Sequence, residues 1–281
     1  MKITREINTA QSGFQVVLVT GGTSGLGLEI VKIFLTKGYY VVVTGRKQVV
    51  IPGYEKMFSL YRVDFSDLQQ TADTVKQICD NHSIDIIINN AGVLSPPDYT
   101  TTKDGFEYTF QVNFLAHLLL NDIVIRRFGD SRVLKMATVT SMVYKLGNFE
   151  TGLTGKADKY NPLKSYSDSK LLLALMCKMM TKKYTDIDLR CFSLDPGIFS
   201  SSIYRMQNSV FRFLYRIASP FMRKPSLVAS VLADILINTE FSCGEIYNIR
   251  KKIKHLKKVN PKSVEDFMEV CYRIVVSYTG F

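Results

Sequence analysis

The sequence predicts an α/β fold, a single domain with a doubly wound parallel sheet of about seven strands and helices on both faces. Short apolar runs rich in Val and Ile alternate along the chain with longer segments of helical periodicity. Near-continuous apolar strands of this kind are typical of a parallel sheet that is covered on both faces. The chain shows no interdomain linker and no internal repeat, so we expect residues 1–281 to form one domain.

The alternation begins near the N-terminus and continues through the first half of the chain. Helical patterns extend over 25–38, ending at Gly38, and over roughly 67–80. The apolar, β-branched runs predict strands at FQVVLVT (14–20), YYVVVTG (39–45), FSLYRVD (58–64) and IDIIINN (84–90).

The second half repeats the pattern after a loop rich in Pro and Thr. Residues 105–128 have the pattern of a long helix, and Pro162 suits the first turn of another. Strands are expected at RVLKMATV (132–139), at the end of IDLRCFSLDPG (187–197) and at GEIYNI (244–249). The residues after about 250 form a C-terminal extension.

Composition narrows the class of protein. Five cysteines are scattered without a Cys-x-x-Cys pair, which favours reduced thiols in the cytoplasm over a disulfide framework or a zinc site. Three histidines show no ligand spacing, so we expect no metal. No secretory signal and no apolar run of about 20 residues is visible in the sequence.

The net charge of +11 leaves two interpretations open. A basic surface that is merely solvated is favoured, and we expect no nucleic-acid partner. A membrane-surface partner is the less favoured alternative. A phosphorylated cofactor would also account for some of the positive charge.

A glycine-rich turn, TGGTSGLG (20–27), lies between the first strand and the first helix. Glycines let a backbone turn sharply and approach a pyrophosphate, and a helix N-terminus attracts its charge. Turns also use glycine for their own geometry, so this signal alone is weak. The candidate cofactor-binding residues of the turn are Gly21, Thr23, Ser24, Gly25, Leu26 and Gly27.

The stretch SYSDSK (165–170) places Tyr166 four residues before Lys170, on one face of a helix. Such a pair is most often a polar helix start with a solvated lysine. Alternatively, the ammonium lowers the pKa of the phenol, which then serves as a general acid and base.

The ordered set of motifs decides between these alternatives. The glycine turn, NNAG (89–92), Asn113, Ser141, Tyr-x-x-x-Lys and Pro196-Gly197 together resemble the short-chain dehydrogenase/reductase family, which has a Rossmann fold. The resemblance covers about residues 14–249. The segments 101–120, 166–171 and 211–225 resemble its retinol-dehydrogenase-like branch.

The resemblance implies a role for each of four catalytic residues. Tyr166 would exchange a proton with the carbonyl or alcohol oxygen, and Lys170 would favour the phenolate and bind the nicotinamide ribose. Ser141 would donate a hydrogen bond to the substrate oxygen, with Thr138 or Thr140 as alternatives. Asn113 would support a water-mediated proton relay near the lysine.

The cofactor is expected to be NADP. The second strand ends without an acidic residue, and Arg46 and Lys47 there could pair with a 2′-phosphate, although a solvent-facing basic turn is the alternative. The resemblance also implies cofactor contacts at Asp64, Phe65, Asn90, Ala91, Gly92, Pro196, Gly197, Ile198 and Ser201, besides Tyr166 and Lys170. Asp195 stands where the family more often has His or Asn.

The segment at about 198–226 is expected to cover the substrate. It mixes apolar and basic side chains, which favours a lid for a lipophilic aldehyde, ketone or alcohol over a core helix or a membrane-surface helix. The function predicted is an NADP-dependent oxidoreductase, and the alternative is a non-catalytic NADP-binding regulator. The resemblance also implies a homodimer or homotetramer that pairs through the helices of Asn113 and Tyr166.

Overall fold

Eight strands form one sheet in the computed structural model, which describes residues 13–148, 157–197, 223–254 and 259–280. The strand order is β3-β2-β1-β4-β5-β6-β7-β8; the first seven are parallel and β8 is antiparallel to β7. The strands are β1 (Val16–Thr20), β2 (Tyr40–Gly45), β3 (Phe58–Arg62), β4 (Ile86–Asn89), β5 (Leu134–Val139), β6 (Leu189–Asp195), β7 (Ile246–Asn248) and β8 (Ile253–Lys254).

Helices cover both faces of this sheet. A π-helical turn, Gln111–Leu115, joins α3 to α4, and a short 3₁₀ helix, Met142–Leu146, follows β5. The α-helices are α1 (Gly25–Thr36), α2 (Leu68–Asn81), α3 (Tyr108–Phe110), α4 (Ala116–Phe128), α5 (Pro162–Lys183), α6 (Pro225–Asn238) and α7 (Pro261–Thr279).

The doubly wound α/β prediction is confirmed. Successive side chains of β1 point to opposite faces, so Val16 and Leu18 belong to one core and Val17 and Val19 to the other. All five β1 residues are buried, which explains why the strand is apolar throughout rather than alternating. The seven predicted strands are present, and β8 adds an eighth.

The sheet reverses its winding at β1, which pairs with β2 on one side and with β4 on the other. In open α/β sheets this switch point opens a crevice at the carboxyl ends of the strands. The glycine turn follows β1 and the NNAG segment spans the end of β4. The fold therefore brings these two motifs together.

The C-terminal extension returns to the body of the protein as β8 and α7. The Asn260 side chain caps α7 by accepting hydrogen bonds from the backbone of Lys262 and Ser263. The helix packs on α2 and α4, and Lys76 of α2 donates to its Tyr278 carbonyl at 3.2 Å. Its Phe267 ring lies 6.4 Å from that of Phe110 in α3.

The described ranges bear on two features of the sequence, the predicted lid and the question of a membrane-spanning helix. Most of the predicted lid, residues 198–222, lies outside them. Within them, no helix combines the length and apolar character that crossing a bilayer requires.

Candidate active site

A cleft of about 340 Å³ opens at the carboxyl ends of the strands, beside β1 and β4. Most of the predicted cofactor-binding and catalytic residues line it. They are Gly21, Thr23, Ser24, Gly25, Leu26, Gly27, Arg46, Lys47, Asp64, Phe65, Asn90, Ala91, Gly92, Ser141, Tyr166, Lys170 and Gly197. Ile198 and Ser201 fall outside the described residues.

The glycine turn is packed too tightly for side chains at Gly21 and Gly27, among other positions. Gly21 has a φ of +65°, and a Cβ added there would lie 2.9 Å from the Ala91 Cα. A Cβ on Gly27 would lie 2.2 Å from the Gly21 carbonyl oxygen. The glycines thus keep the turn closed against the loop after β4 and leave the start of α1 facing the cleft, where backbone N–H groups favour an anion.

Asn90 and Thr20 join the glycine turn to the loop after β4. The Asn90 side-chain amide donates to the Thr20 carbonyl at 2.9 Å. The Thr20 hydroxyl in turn accepts the backbone N–H groups of Asn90 and Ala91, both at 2.9 Å. Asn90 therefore shapes the cleft as well as lining it.

Basic and acidic residues border the end of the cleft near β2 and β3. Arg46 and Lys47 are exposed directly after β2. The Asp64 carboxylate accepts from the Ser66 backbone N–H at 3.0 Å and from its hydroxyl at 2.9 Å. This end of the cleft thus offers a guanidinium and an ammonium in solvent, with the acidic side chain held in a local turn.

Lys170 is the buried cation of the site. Its ammonium donates to the Val139 carbonyl at 3.3 Å and lies 5.8 Å from the centre of the Tyr166 ring. Burial lowers the pKa of Lys170 to about 8, because desolvation disfavours the charged form. The helical spacing therefore places Lys170 beside Tyr166, and its effect on the phenol stays a prediction.

Asn113 does not line the cleft. Its side-chain oxygen accepts the Val93 N–H at 2.8 Å, and its amide donates to the Val93 carbonyl and the Ser169 hydroxyl, both at 3.0 Å. A Cβ added to Gly92 would lie 3.3 Å from the Asn113 oxygen and 3.5 Å from the Lys170 ammonium. The amide thus joins the lysine helix to the loop after β4, and its part in a proton relay stays a prediction.

The structure separates Ser141 from one of its two alternatives, Thr138. Ser141 and Thr140 both line the cleft, whereas Thr138 is fully buried and accepts from the Asn89 side chain at 3.1 Å. Ser141 directly precedes the 3₁₀ helix that follows β5. Ser141 therefore lies in the cleft together with Tyr166 and Lys170.

The Pro196-Gly197 turn follows β6 at the cleft. Gly197 lines it with a φ of +66°, whereas Pro196 is buried behind it. The Asp195 carboxylate accepts the Gly197 N–H at 2.9 Å. The unusual acidic residue therefore holds the turn.

Sequence reasoning missed Thr20 and His117. His117 is fully buried, 3.0 Å from the Thr20 hydroxyl through Nε2 and 2.8 Å from the Asn113 carbonyl through Nδ1. Its position four residues after Asn113 was a usable signal, since that spacing brings side chains to one helical face. The contact with Thr20 has no local signal in the sequence.

Comparison with known proteins assigns the family. The model of the family described as short chain dehydrogenase matches residues 15–210. The chain belongs to the short-chain dehydrogenase family. Retinol dehydrogenase 11 of Homo sapiens is 26% identical over 228 residues, 78% of this chain and 71% of that protein. Retinol dehydrogenase 12 of Mus musculus is 26% identical over 222 residues, 75% of this chain and 70% of that protein.

Solved structures agree on the fold of this short-chain dehydrogenase. The crystal structure of a short chain dehydrogenase from Leptospira borgpetersenii serovar Hardjo-bovis, with bound NAD+, matches with a TM-score of 0.66 at 20% identity. The match covers 84% of this chain and 91% of that chain. The predicted family, its retinol-dehydrogenase-like branch and its fold are thus confirmed.

Proposed function

We propose that this short-chain dehydrogenase interconverts a lipophilic aldehyde or ketone and the corresponding alcohol, using NADP. The observation that carries the proposal is the buried Lys170 ammonium beside Tyr166, in a cleft that the glycine turn shares. A nicotinamide cofactor bound there would supply or accept the hydride. The cleft fits such a group, since Gly25, Leu26 and Gly27 at the start of α1 line it, and the backbone N–H groups of a helix N-terminus favour a pyrophosphate.

The chain's own residues would handle the proton and the substrate oxygen. Tyr166 gives a proton to the carbonyl oxygen, or takes one from the alcohol in reverse. Lys170 favours the phenolate through its positive charge and holds the ribose. Ser141 donates a hydrogen bond to the oxygen as negative charge develops on it.

NADP is preferred over NAD on the basis of the β2 end. Arg46 and Lys47 are exposed there, and one oxygen of the nearby Asp64 carboxylate, Oδ1, accepts two hydrogen bonds from Ser66. A guanidinium binds a phosphate through two parallel hydrogen bonds. The end of β2 carries no acidic residue, so the ribose 2′-hydroxyl of NAD would lack its usual partner there.

A lipophilic substrate is supported by three exposed apolar side chains in the chain segments that flank Ser141 and Tyr166. Met142 and Leu146 follow Ser141 and are 46% and 65% exposed; Leu163 precedes Tyr166 and is 60% exposed. Apolar side chains left exposed in the segments that carry catalytic residues favour an apolar ligand. The lid over 198–226 stays a prediction.

The homo-oligomer also stays a proposal. Helix α7 packs on α4 within one chain, so pairing through α4 and α5 would have to use the surface that α7 leaves open.

The first experiment follows nicotinamide fluorescence while NADPH or NADH is added to the purified protein. A panel of lipophilic aldehydes and ketones is then added, with Tyr166→Phe beside the wild type. We expect NADPH to bind more tightly than NADH, and oxidation of NADPH to require Tyr166. Binding without turnover over a broad panel would favour the non-catalytic regulator.

Cofactor choice is tested with Arg46→Ala and its matched control Arg273→Ala, which removes an exposed arginine on α7. Loss of a charge-assisted phosphate contact should weaken NADPH binding about tenfold or more and leave NADH binding unchanged. Equal losses for both cofactors would contradict the assignment of Arg46.

A further inference from the structure

A buried histidine connects the cofactor loop to the helix of Asn113. In the π-helical turn Gln111–Leu115, the Ala116 N–H donates to the Gln111 carbonyl five residues back. The Asn113 carbonyl is hydrogen-bonded to a side chain, because His117 Nδ1 lies 2.8 Å from it. The widened turn is therefore bonded to a side chain one turn further along.

The other ring nitrogen of His117 reaches the end of β1. His117 Nε2 lies 3.0 Å from the Thr20 hydroxyl, at the end of β1. The same hydroxyl accepts the N–H groups of Asn90 and Ala91. One chain of hydrogen bonds thus runs from the loop after β4, through Thr20 and His117, to the Asn113 carbonyl.

The directions of these bonds follow from the donors and acceptors. Thr20 already accepts two backbone N–H groups, so its own proton goes either to His117 Nε2 at 3.0 Å or to the Ile88 carbonyl at 3.3 Å. The Asn113 carbonyl can only accept, so His117 Nδ1 must carry a proton. With Nδ1 protonated, a neutral ring has a bare Nε2, which accepts the shorter of the two Thr20 contacts.

The surroundings favour the neutral ring. His117 is fully buried, the Phe65 ring stands edge-on to it at 5.1 Å, and the Lys170 ammonium is the charge that acts on it. Burial, with Lys170 adding to it, lowers the pKa of His117 to about 3. The imidazole therefore stays neutral at any pH at which the protein would work, and the direction of the chain of bonds does not change.

We propose that His117 is a positioning residue, which holds the Asn113 carbonyl and the Asn90–Ala91 backbone at a fixed separation. This inference rests on the proposed function, because the two ends of the chain of bonds serve cofactor binding and the lysine helix. Gly92 lies between them, next to both the Asn113 side chain and Lys170. Loss of the link would let the cofactor loop and the lysine helix shift relative to one another.

Two substitutions separate the two halves of the link. His117→Asn keeps a donor near the position of Nδ1 but cannot reach Thr20. His117→Gln keeps a group near the position of Nε2 and loses the donor to Asn113. A matched control is His82→Gln, which alters another buried histidine, bonded to Tyr61 at 3.0 Å outside the cleft.

We expect His117→Asn to weaken NADPH binding about tenfold while turnover at saturating NADPH stays within about threefold. His117→Gln should do the opposite, lowering turnover about tenfold with little change in binding. The control should alter neither. If both His117 variants lose only thermal stability, as the control does, the positioning role is wrong.

A measurement independent of activity accompanies the kinetics. Nitrogen-15 NMR of the histidine rings in the wild-type protein should show His117 neutral, with its proton on Nδ1, from pH 8 down to pH 5. A proton on Nε2, or titration within this range, overturns the inference even in a protein that binds NADPH. Failure of the wild type to bind either cofactor would instead remove the proposed function, and the positioning role with it, whatever the tautomer.

Discussion

The cost of burying Lys170 can be measured by replacing it with methionine. The lysine has a pKa of about 8 in place of 10.5, and this difference corresponds to a cost of about 3 kcal/mol to the folded protein below pH 8. Methionine has a similar length and carries no charge. It also forgoes the hydrogen bond to the Val139 carbonyl, which is worth about 1 kcal/mol.

We therefore expect Lys170→Met to stabilise the cofactor-free protein by about 2 kcal/mol at pH 6.5, which raises the melting temperature by about 4 °C. The folded-state pKa is lowered, so the cost is present in full below pH 8. It shrinks as the pH rises from about 8 towards 10.5, where the folded lysine has lost its proton and the unfolded one has not. At pH 9.5 the advantage of methionine should fall below about 1 kcal/mol.

Thermal unfolding at pH 6.5 and 9.5, followed by circular dichroism, measures both quantities. Lys178→Met is the control, because it makes the same chemical change at an exposed position of α5. The control should stay within about 0.5 kcal/mol of the wild type at both pH values. A Lys170→Met protein that is less stable than the wild type at pH 6.5, or equally stabilised at both pH values, would refute the reasoning.

Three further predictions concern the turn, the catalytic helix and the thiols. Gly27→Ala should abolish detectable NADPH binding and lower the free energy of unfolding in urea by about 1–3 kcal/mol, because the new Cβ would lie 2.2 Å from a backbone oxygen. Unchanged NADPH binding would contradict this prediction. Asp168→Ala should lower the free energy of unfolding by about 1–3 kcal/mol. The buried carboxylate accepts the Asn148 N–H at 2.6 Å and forms an ion pair with Lys164 at 2.8 Å. A change below about 0.5 kcal/mol would count against that role. Of the five cysteines, the exposed Cys243 alone should react rapidly with a thiol reagent in the native protein, and a second fast thiol would show that a buried one is reachable.

The sheet was predictable because its strands carry their own signal. Residues such as Val41, Val42 and Val43 are all buried, and only a strand with both faces covered tolerates such a run. The short β8 carries no such signal. It is two residues long and depends on a turn in which Lys251 has a φ of +57°.

The C-terminal helix did carry a signal that could have been used. Val264, Met268, Cys271 and Val275 recur at helical spacing and are buried against the body of the protein. The Asn260-Pro261 pair marks its start with a capping side chain and a proline in the first turn. The sequence predicted only an extension there.

The site was predictable where its residues belong to local motifs. Tyr166 and Lys170 are one helical turn apart. The glycine turn is recognised by its place between a strand and the start of a helix. The π-helical turn was not predictable, because it forms where the Asn113 amide bonds to the backbone of Val93, a contact between distant segments. The contact of His117 with Thr20 was not predictable for the same reason, since Thr20 lies 97 residues earlier in the chain.

The pairing of β1 with β4 has a consequence for folding. Val17 pairs with Ile86, so the switch point closes only when two strands far apart in the chain meet, and such non-local parallel pairing is intrinsically slow. The cleft is built across this junction, which means that no half of the sheet can form it alone. Cofactor binding during refolding should therefore appear late, together with the last cooperative phase, and a ligand present from the start would stabilise the product without speeding its nucleation.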